Sequence, residues 1–166
     1  VFPVPEDQIQ VSAFAIPDHF SRIAGIDFGF DHPTACVWLA HDRDTDVVYL
    51  YDAYREKGSG MLQHAEAIKH RGSYIPVAWP HDGSIHDKGS GEALATQYRR
   101  AGVNFLGSHF LNPEGGIAVE PGLMALLTRM QTGRFKVFNH LDQWFQEFRM
   151  YHRKDGKVIR KHDDLM

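Results

Sequence analysis

A length of 166 residues fits one compact domain that can bury an ordinary hydrophobic core. Apolar residues make up 43% and charged residues 23%, and no apolar run is long enough for a membrane span or a secretory signal, so an aqueous, cytoplasmic setting is expected. The 18 Lys and Arg residues are outnumbered by 21 Asp and Glu residues, so the formal charge of −3 excludes a general attraction to a polyanion.

The first 21 residues carry three prolines and no sustained helix or strand period. This pattern predicts a connector and places the start of the fold near Arg22. From there to a glycine turn the chain reads as a strand, and apolar, β-branched and aromatic runs at 34–40 and 47–54 predict two more. The short polar segment 41–46 is typical of a hairpin turn, so these three strands are expected to be antiparallel. Cys36 lies within the second run and is predicted to pack as a core residue.

Helical and strand periods alternate along the rest of the chain, and such crossovers imply parallel strands. Ser90 is a candidate cap for one of the helices, and Gly72, Gly102 and Gly133 are candidate helix ends. In order, the predicted elements are a helix after residue 60, a strand over 75–79, a helix between 90 and 102, a strand over 103–106, a helix from 121 to 133, a strand over 134–138, a helix with apolar residues at 141, 144, 145 and 148, a hairpin turn at 154–157 and the start of a helix at 162–166.

Two aspartates follow apolar strands in places that secondary structure does not explain. Asp27 lies within the first strand pattern, where an unpaired carboxylate is costly, and Asp82 comes just past the strand over 75–79. A turn-capping role for Asp27 and an ordinary Asp-Gly turn at Asp82 are the alternatives for each residue alone. Because strand C-termini converge in an α/β sheet, the pair together indicates a site.

A third carboxylate, from Asp163 or Asp164, would complete a set of oxygen ligands suited to Mg²⁺ or Mn²⁺, with Asp164 preferred. Two such ions can divide the work of phosphodiester hydrolysis, with Asp27, Asp82 and Asp164 as the catalytic carboxylates. Zinc is disfavoured because the sequence has no cysteine cluster and its 11 histidines follow no zinc-ligand spacing. His81 and His162 are candidates for orienting a metal ligand through a hydrogen bond.

A basic run near the C-terminus is the clearest candidate contact for phosphates, although a solvated surface is the favoured explanation of such a run taken alone. Lys88, close after Asp82, is a further candidate. The predicted DNA-binding residues are Lys88, Arg153, Lys154, Lys157, Arg160 and Lys161, and Arg149 belongs to the same run.

Four segments, in order, carry a family resemblance: residues 23–35 (IAGIDFGFDHPTA), 79–83 (WPHDG), 132–138 (TGRFKVF) and 161–166 (KHDDLM). Together they resemble the nuclease domain of the large terminase subunit of tailed double-stranded DNA bacteriophages, over nearly the whole chain from residue 22. The resemblance implies a ribonuclease H-like α/β fold in which three antiparallel strands precede parallel strands, flanked by helices, with residues 1–21 as a connector remnant and 22–166 as the nuclease domain.

The same resemblance implies an endonuclease that cuts concatemeric double-stranded viral DNA in the host cell cytoplasm during genome packaging. It matches Asp27, Asp82 and the Asp163–Asp164 element to the family's metal ligands. The partners it implies are DNA, a portal protein, a small terminase subunit and an ATPase motor domain, with no membrane. The motor is not expected within this chain, which has no Gly-x-x-x-x-Gly-Lys-Ser/Thr phosphate loop.

Other classes of protein remain open on the residues alone. Gly25 to Gly29 followed by Thr34 also resembles the first phosphate loop of actin-like ATPases and sugar kinases, but these need two lobes and a second phosphate loop. Junction resolvases and transposases share the ribonuclease H-like chemistry. A non-catalytic DNA-binding or assembly module fits the net acidic charge. Plasmid nicking with and without EDTA, and ATP turnover, separate these classes from a nuclease.

Overall fold

Six strands form one mixed sheet in the computed structural model, which describes residues 1–29, 32–84, 93–159 and 163–166. The strands lie in the order β1-β6-β4-β3-β2-β5. β2, β3 and β4 follow one another through connections too short for a crossover, so these neighbours run antiparallel, as predicted. The strands are β1 (Gln10–Val11), β2 (Ser21–Asp27), β3 (Thr34–Asp42), β4 (Val47–Glu56), β5 (Val77–Ala78) and β6 (Phe135–Phe138).

Within these residues the helices also follow the predicted periodicity. None of the helices in the described ranges is both long and apolar enough to span a membrane. A 3-10 turn, His81–Ser84, follows β5, and a separate hairpin pairs β7 (Arg153–Lys154) with β8 (Lys157–Val158). The helices are α1 (Glu6–Ile9), α2 (Met61–His70), α3 (Leu94–Arg100), α4 (Val119–Gln131) and α5 (Asp142–Met150).

The chain divides into two compact units, and the first holds residues 1–22, 37–53 and 118–166. In it, β6 pairs in parallel with β4, with Leu50 opposite Val137, and with β1. The apolar stripe of α5 is buried, and the Trp144 ring stacks on Phe148 with centroids 5.3 Å apart. Trp144 also contacts Phe135 of β6, so this helix forms a core with the strand that precedes it.

The second unit holds residues 23–36 and 54–117. Here β2 and β5 pair in parallel, with Ala24 opposite Val77 and Gly25 opposite Ala78. Beyond β5 lies an aromatic core in which the Phe105 ring stacks on Tyr98 at 5.3 Å between centroids. Cys36 is buried, as predicted.

Four local expectations were wrong. Residues 1–21 are not without regular structure, because α1 and β1 form there and Ile9 is fully buried. The strand expected at 103–106 is reduced to one parallel bridge between Phe105 and Val77. The N-cap of α3 is Ala93 rather than Ser90, which lies outside the described residues. Residues 163–166 form a turn instead of a helix start.

Candidate metal site at the ends of β2 and β5

Asp27 and Asp82 follow two neighbouring strands of the sheet. Asp27 is the last residue of β2, and Asp82 lies in the 3-10 turn just after β5. Because these strands are paired in parallel, their C-terminal ends lie at the same edge of the sheet. The sequence predicted this arrangement of the two strand ends.

The carboxylate of Asp82 is in an unfavourable position unless a cation binds it. Its Oδ1 atom is buried and has no hydrogen-bond partner among the described residues. Leaving a buried charged oxygen unsatisfied costs free energy, so such an atom in a native fold calls for an explanation. The turn itself is packed tightly, since a Cβ atom on Gly83 would lie 2.6 Å from the ring of Trp79 and 2.8 Å from Phe28. The close packing of Gly83 against these two rings therefore holds the adjacent Asp82 in place.

His32 lies beside Asp27, although sequence reasoning did not select it. One ligand atom of Asp27 and one of His32 lie within 4.8 Å of each other, and neither residue is buried. The loop that carries His32 is braced at its ends, because the amide of Gly29 donates a hydrogen bond to Thr34 Oγ1 at 3.1 Å. The only signal in the sequence was the position of His32, five residues after a strand-end aspartate.

The C-terminal turn carries Asp163 and Asp164 and is anchored by a buried glutamate. The amide of Met166 donates to the Asp163 carbonyl at 3.1 Å, and Asp164 is half-buried. The amide of Leu165 donates to Oε2 of Glu147 at 2.7 Å, and both of these residues are only 3% exposed. Sequence reasoning missed Glu147, whose signal was an acidic residue next to the apolar stripe of α5.

The structure changes the interpretation of the basic run. The Arg153 guanidinium makes two 2.8 Å hydrogen bonds to the Glu120 carboxylate and lowers the pKa of that carboxyl, and its role as a phosphate contact stays a prediction. Arg149 is likewise paired, with Glu6. Lys154 and Lys157 are exposed in the β7–β8 hairpin. The other predicted contacts, Lys88, Arg160 and Lys161, lie outside the described residues, as does His162.

His81 lies next to Asp82 and is exposed to solvent. It borders a cavity of about 280 Å³ whose wall includes Trp79, Phe110 and the β2 residue Ile26. The cavity adjoins both strand ends, since its lining residues immediately precede Asp27 and Asp82. A role for His81 in orienting a metal ligand stays a prediction.

The order and pairing of the strands, with carboxylates at two adjoining strand ends, define a ribonuclease H-like domain. The family model for the terminase RNaseH-like domain matches residues 24–166. The large terminase subunit of Enterobacteria phage LP7 is 44% identical over the whole of this chain, which covers 35% of that protein. The chain thus spans about a third of the length of this curated relative.

Solved structures agree with the family match. The nuclease domain of the P22 large terminase superposes with a TM-score of 0.89 at 45% identity, over 98% of this chain and 84% of that one. The nuclease domain of the large terminase from bacteriophage SPP1, solved with bound Mn, shares the fold with a TM-score of 0.65 at 17% identity, over 97% of this chain and 92% of that one. The chain belongs to the terminase RNaseH-like domain family.

Proposed function

We propose that this chain is a Mg²⁺- or Mn²⁺-dependent endonuclease that cuts double-stranded viral DNA during genome packaging. The observation that carries the proposal is the pair Asp27 and Asp82 at adjoining strand ends, with Asp82 Oδ1 buried and unpartnered among the described residues. A divalent cation bound to Asp82 would relieve that penalty, and carboxylate oxygens are the ligands that Mg²⁺ and Mn²⁺ prefer.

Asp164 is the third proposed ligand, with Asp163 as the alternative. The sequence favours Asp164, and both residues lie in the C-terminal turn, where the Asp163 carbonyl accepts a hydrogen bond from the amide of Met166.

The ions, when bound, activate water and stabilise the leaving oxygen of the phosphodiester. The protein's part is to hold Asp27, Asp82 and Asp164 at fixed positions, so that little reorganisation is needed during the reaction. Lys154 and Lys157 are the described cations proposed to contact phosphates, together with Lys88, Arg160 and Lys161. The metal requirement is supported by the related SPP1 nuclease domain, which was solved with Mn bound.

The wider packaging role is also a proposal. It comes from the family and from relatives that are large terminase subunits. We propose that the domain works beside an ATPase motor domain, a portal protein and a small terminase subunit in the host cytoplasm.

The experiment is cleavage of supercoiled plasmid by the parent chain, Asp27→Asn and Asp82→Asn, with Mn²⁺, with Mg²⁺ and with EDTA. We expect cutting only with metal, and a loss of at least about a hundredfold in both variants, because each removes a ligand charge. Asp44→Asn, an exposed aspartate in the β3–β4 turn, is the matched control and should cut at the parent rate.

Three results would argue against the proposal. Cutting at the parent rate by either variant would show that the carboxylate is misassigned. Metal-independent binding of DNA without cutting by the parent chain would favour an assembly module, and ATP turnover would favour the kinase-like class. A thermal unfolding scan with and without Mn²⁺ serves as a second readout, because a metal that binds the folded state raises Tm in the parent but not in Asp82→Asn.

A further inference from the structure

We propose that His32 supplies a nitrogen ligand to the metal site, which makes the site favour Mn²⁺ or Co²⁺ over Mg²⁺. The inference rests on the proposed metal-dependent nuclease function and extends it to the choice of metal.

The ligand atoms of Asp27 and His32 lie within 4.8 Å of each other. A first-row divalent ion binds nitrogen and oxygen ligands at about 2.0–2.2 Å, so two ligands on one ion can be up to about 4.4 Å apart. A small side-chain rotation is therefore enough for both residues to bind one ion.

A backbone carbonyl fixes which nitrogen of the His32 ring carries the proton. Nδ1 of His32 lies 3.1 Å from the carbonyl oxygen of Pro33. A carbonyl oxygen only accepts hydrogen bonds, so Nδ1 is the donor. In a neutral ring Nε2 then carries the lone pair. Histidines that bind metals commonly have their other ring nitrogen fixed in this way, by a backbone carbonyl or a carboxylate.

The backbone that leads to His32 sterically requires glycine at position 29. A Cβ atom there would lie 2.1 Å from the His32 carbonyl oxygen and 2.3 Å from the Pro33 carbonyl carbon. Such distances are shorter than any non-bonded contact, so a side chain at Gly29 would push the loop open. The close approach keeps His32 next to the end of β2.

A nitrogen ligand changes which metal the site selects. Mg²⁺ prefers oxygen ligands and gives up its bound waters reluctantly, whereas the transition-metal ions Mn²⁺ and Co²⁺ accept an imidazole nitrogen more readily, Co²⁺ more than Mn²⁺. A site made of carboxylates alone would discriminate less between Mn²⁺ and Mg²⁺. The expected consequence is a larger ratio of Mn²⁺ to Mg²⁺ affinity than oxygen ligands would give.

The test is pulsed electron paramagnetic resonance on Mn²⁺ added to the chain, which detects ¹⁴N of an imidazole bound directly to the ion. We expect a ¹⁴N signal in the parent and in His70→Ala, the control that removes an exposed histidine at the end of α2. His32→Ala should lose the signal, and its ratio of Mn²⁺ to Mg²⁺ affinity should fall by at least about tenfold.

His32→Asp guards against a folding defect, because it keeps a ligand at the same position. We expect it to bind Mn²⁺ without a ¹⁴N signal and to gain affinity for Mg²⁺. A ¹⁴N signal that persists in His32→Ala, or a parent that binds Mn²⁺ without one, overturns the inference and leaves the nuclease proposal standing. Failure of the parent chain to bind Mn²⁺ at all overturns both.

Discussion

Glu147 shows how one buried side chain can hold a segment that carries a proposed ligand. Its carboxylate accepts the amide of Leu165, the residue directly after Asp164, and both Glu147 and Leu165 are almost fully buried. A buried hydrogen bond of this kind is costly to break, because an amide left without its acceptor cannot turn to water instead. The position of Asp164 therefore depends on a residue that need not touch the metal.

Glu147→Gln tests this dependence. The amide keeps the shape and one acceptor oxygen, so we expect a loss of about 1 kcal/mol in the free energy of unfolding, and a larger loss for Glu147→Ala. Plasmid cleavage should fall in both variants, and more in Glu147→Ala, because weakening the hydrogen bond to the Leu165 amide displaces the neighbouring Asp164. Urea unfolding and plasmid cleavage measure the two effects. Glu114→Gln, at an exposed position, is the control, and parent-like behaviour of Glu147→Gln in both assays would contradict the argument.

Single residues also show what the sequence predicted of the site and what it did not. Asp27 and Asp82 were selected because both lie at the ends of apolar strands, which converge in an α/β sheet, and their role as metal ligands stays a prediction. His32 was missed because one exposed histidine in a loop matches no ligand spacing, and its distance from Asp27 depends on a turn that only the three-dimensional structure defines. Glu147 was missed because helical periodicity selects apolar residues and gives no weight to an acidic residue among them.

At the scale of elements, the β3–β4 turn is tied to α4 and β6 by one aspartate. Oxygens of Asp46 lie 2.9 Å from His41, 3.3 Å from Arg129 and 2.8 Å from Arg134. Hydrogen bonds from His41 and Arg134 lower the pKa of the Asp46 carboxyl to about 2. The ionised carboxylate therefore joins the hairpin to the helix and strand that follow it in this unit.

The contacts of Asp46 predict that the stability of the fold depends on pH. The folded-state pKa of Asp46 is below the ordinary value of 3.8, so its contribution is complete above about pH 4 and is lost as the pH falls towards 2. Asp46→Asn should lower Tm by a few degrees at pH 7, and the difference from the parent should shrink towards pH 2. Asp44→Asn in the same turn is the control. A difference that stays constant from pH 7 to pH 2 would contradict this account.

The elements differ in how well the sequence predicted them. The long helices α2, α4 and α5 and the strands β2, β3, β4 and β6 were predicted because a hydrophobic period repeats several times within each. β1 was missed because two residues contain no period, and it forms only by pairing with β6, which is distant in sequence. Leu62 fits the period of α2, yet it is 66% exposed, because periodicity gives the apolar face only approximately.

At the scale of the whole molecule, a formal charge of −3 has to be reconciled with binding to DNA. In the basic run near the C-terminus, Arg149 is paired with Glu6 and Arg153 with Glu120. The described part of this run therefore has fewer unpaired cations than a count of its Lys and Arg residues suggests. Lys154 and Lys157 lie on the exposed hairpin and form no ion pair with another described residue. Each phosphate contact that these lysines make is expected to steepen the fall of DNA affinity with rising salt.

Replacing both hairpin lysines tests this view. Lys154→Ala with Lys157→Ala should weaken binding to duplex DNA and reduce the slope of log affinity against log salt by up to about 2, because two phosphate contacts are lost. Arg153→Ala is the comparison, and its slope should change less because Glu120 already neutralises that cation. Fluorescence anisotropy between 50 and 200 mM salt gives the slopes. An unchanged slope in the double variant would exclude the hairpin as a phosphate contact.

The parallel register of β2 and β5 limits how this chain can change in length. Side chains alternate between the faces of a strand, so one residue inserted between Gly25 and Asp27, or one deleted, would turn the carboxylate to the opposite face. The exposed segment 113–117 carries no such restriction. Insertions and deletions among natural relatives should therefore collect in loops of that kind and avoid the last residues of these two strands.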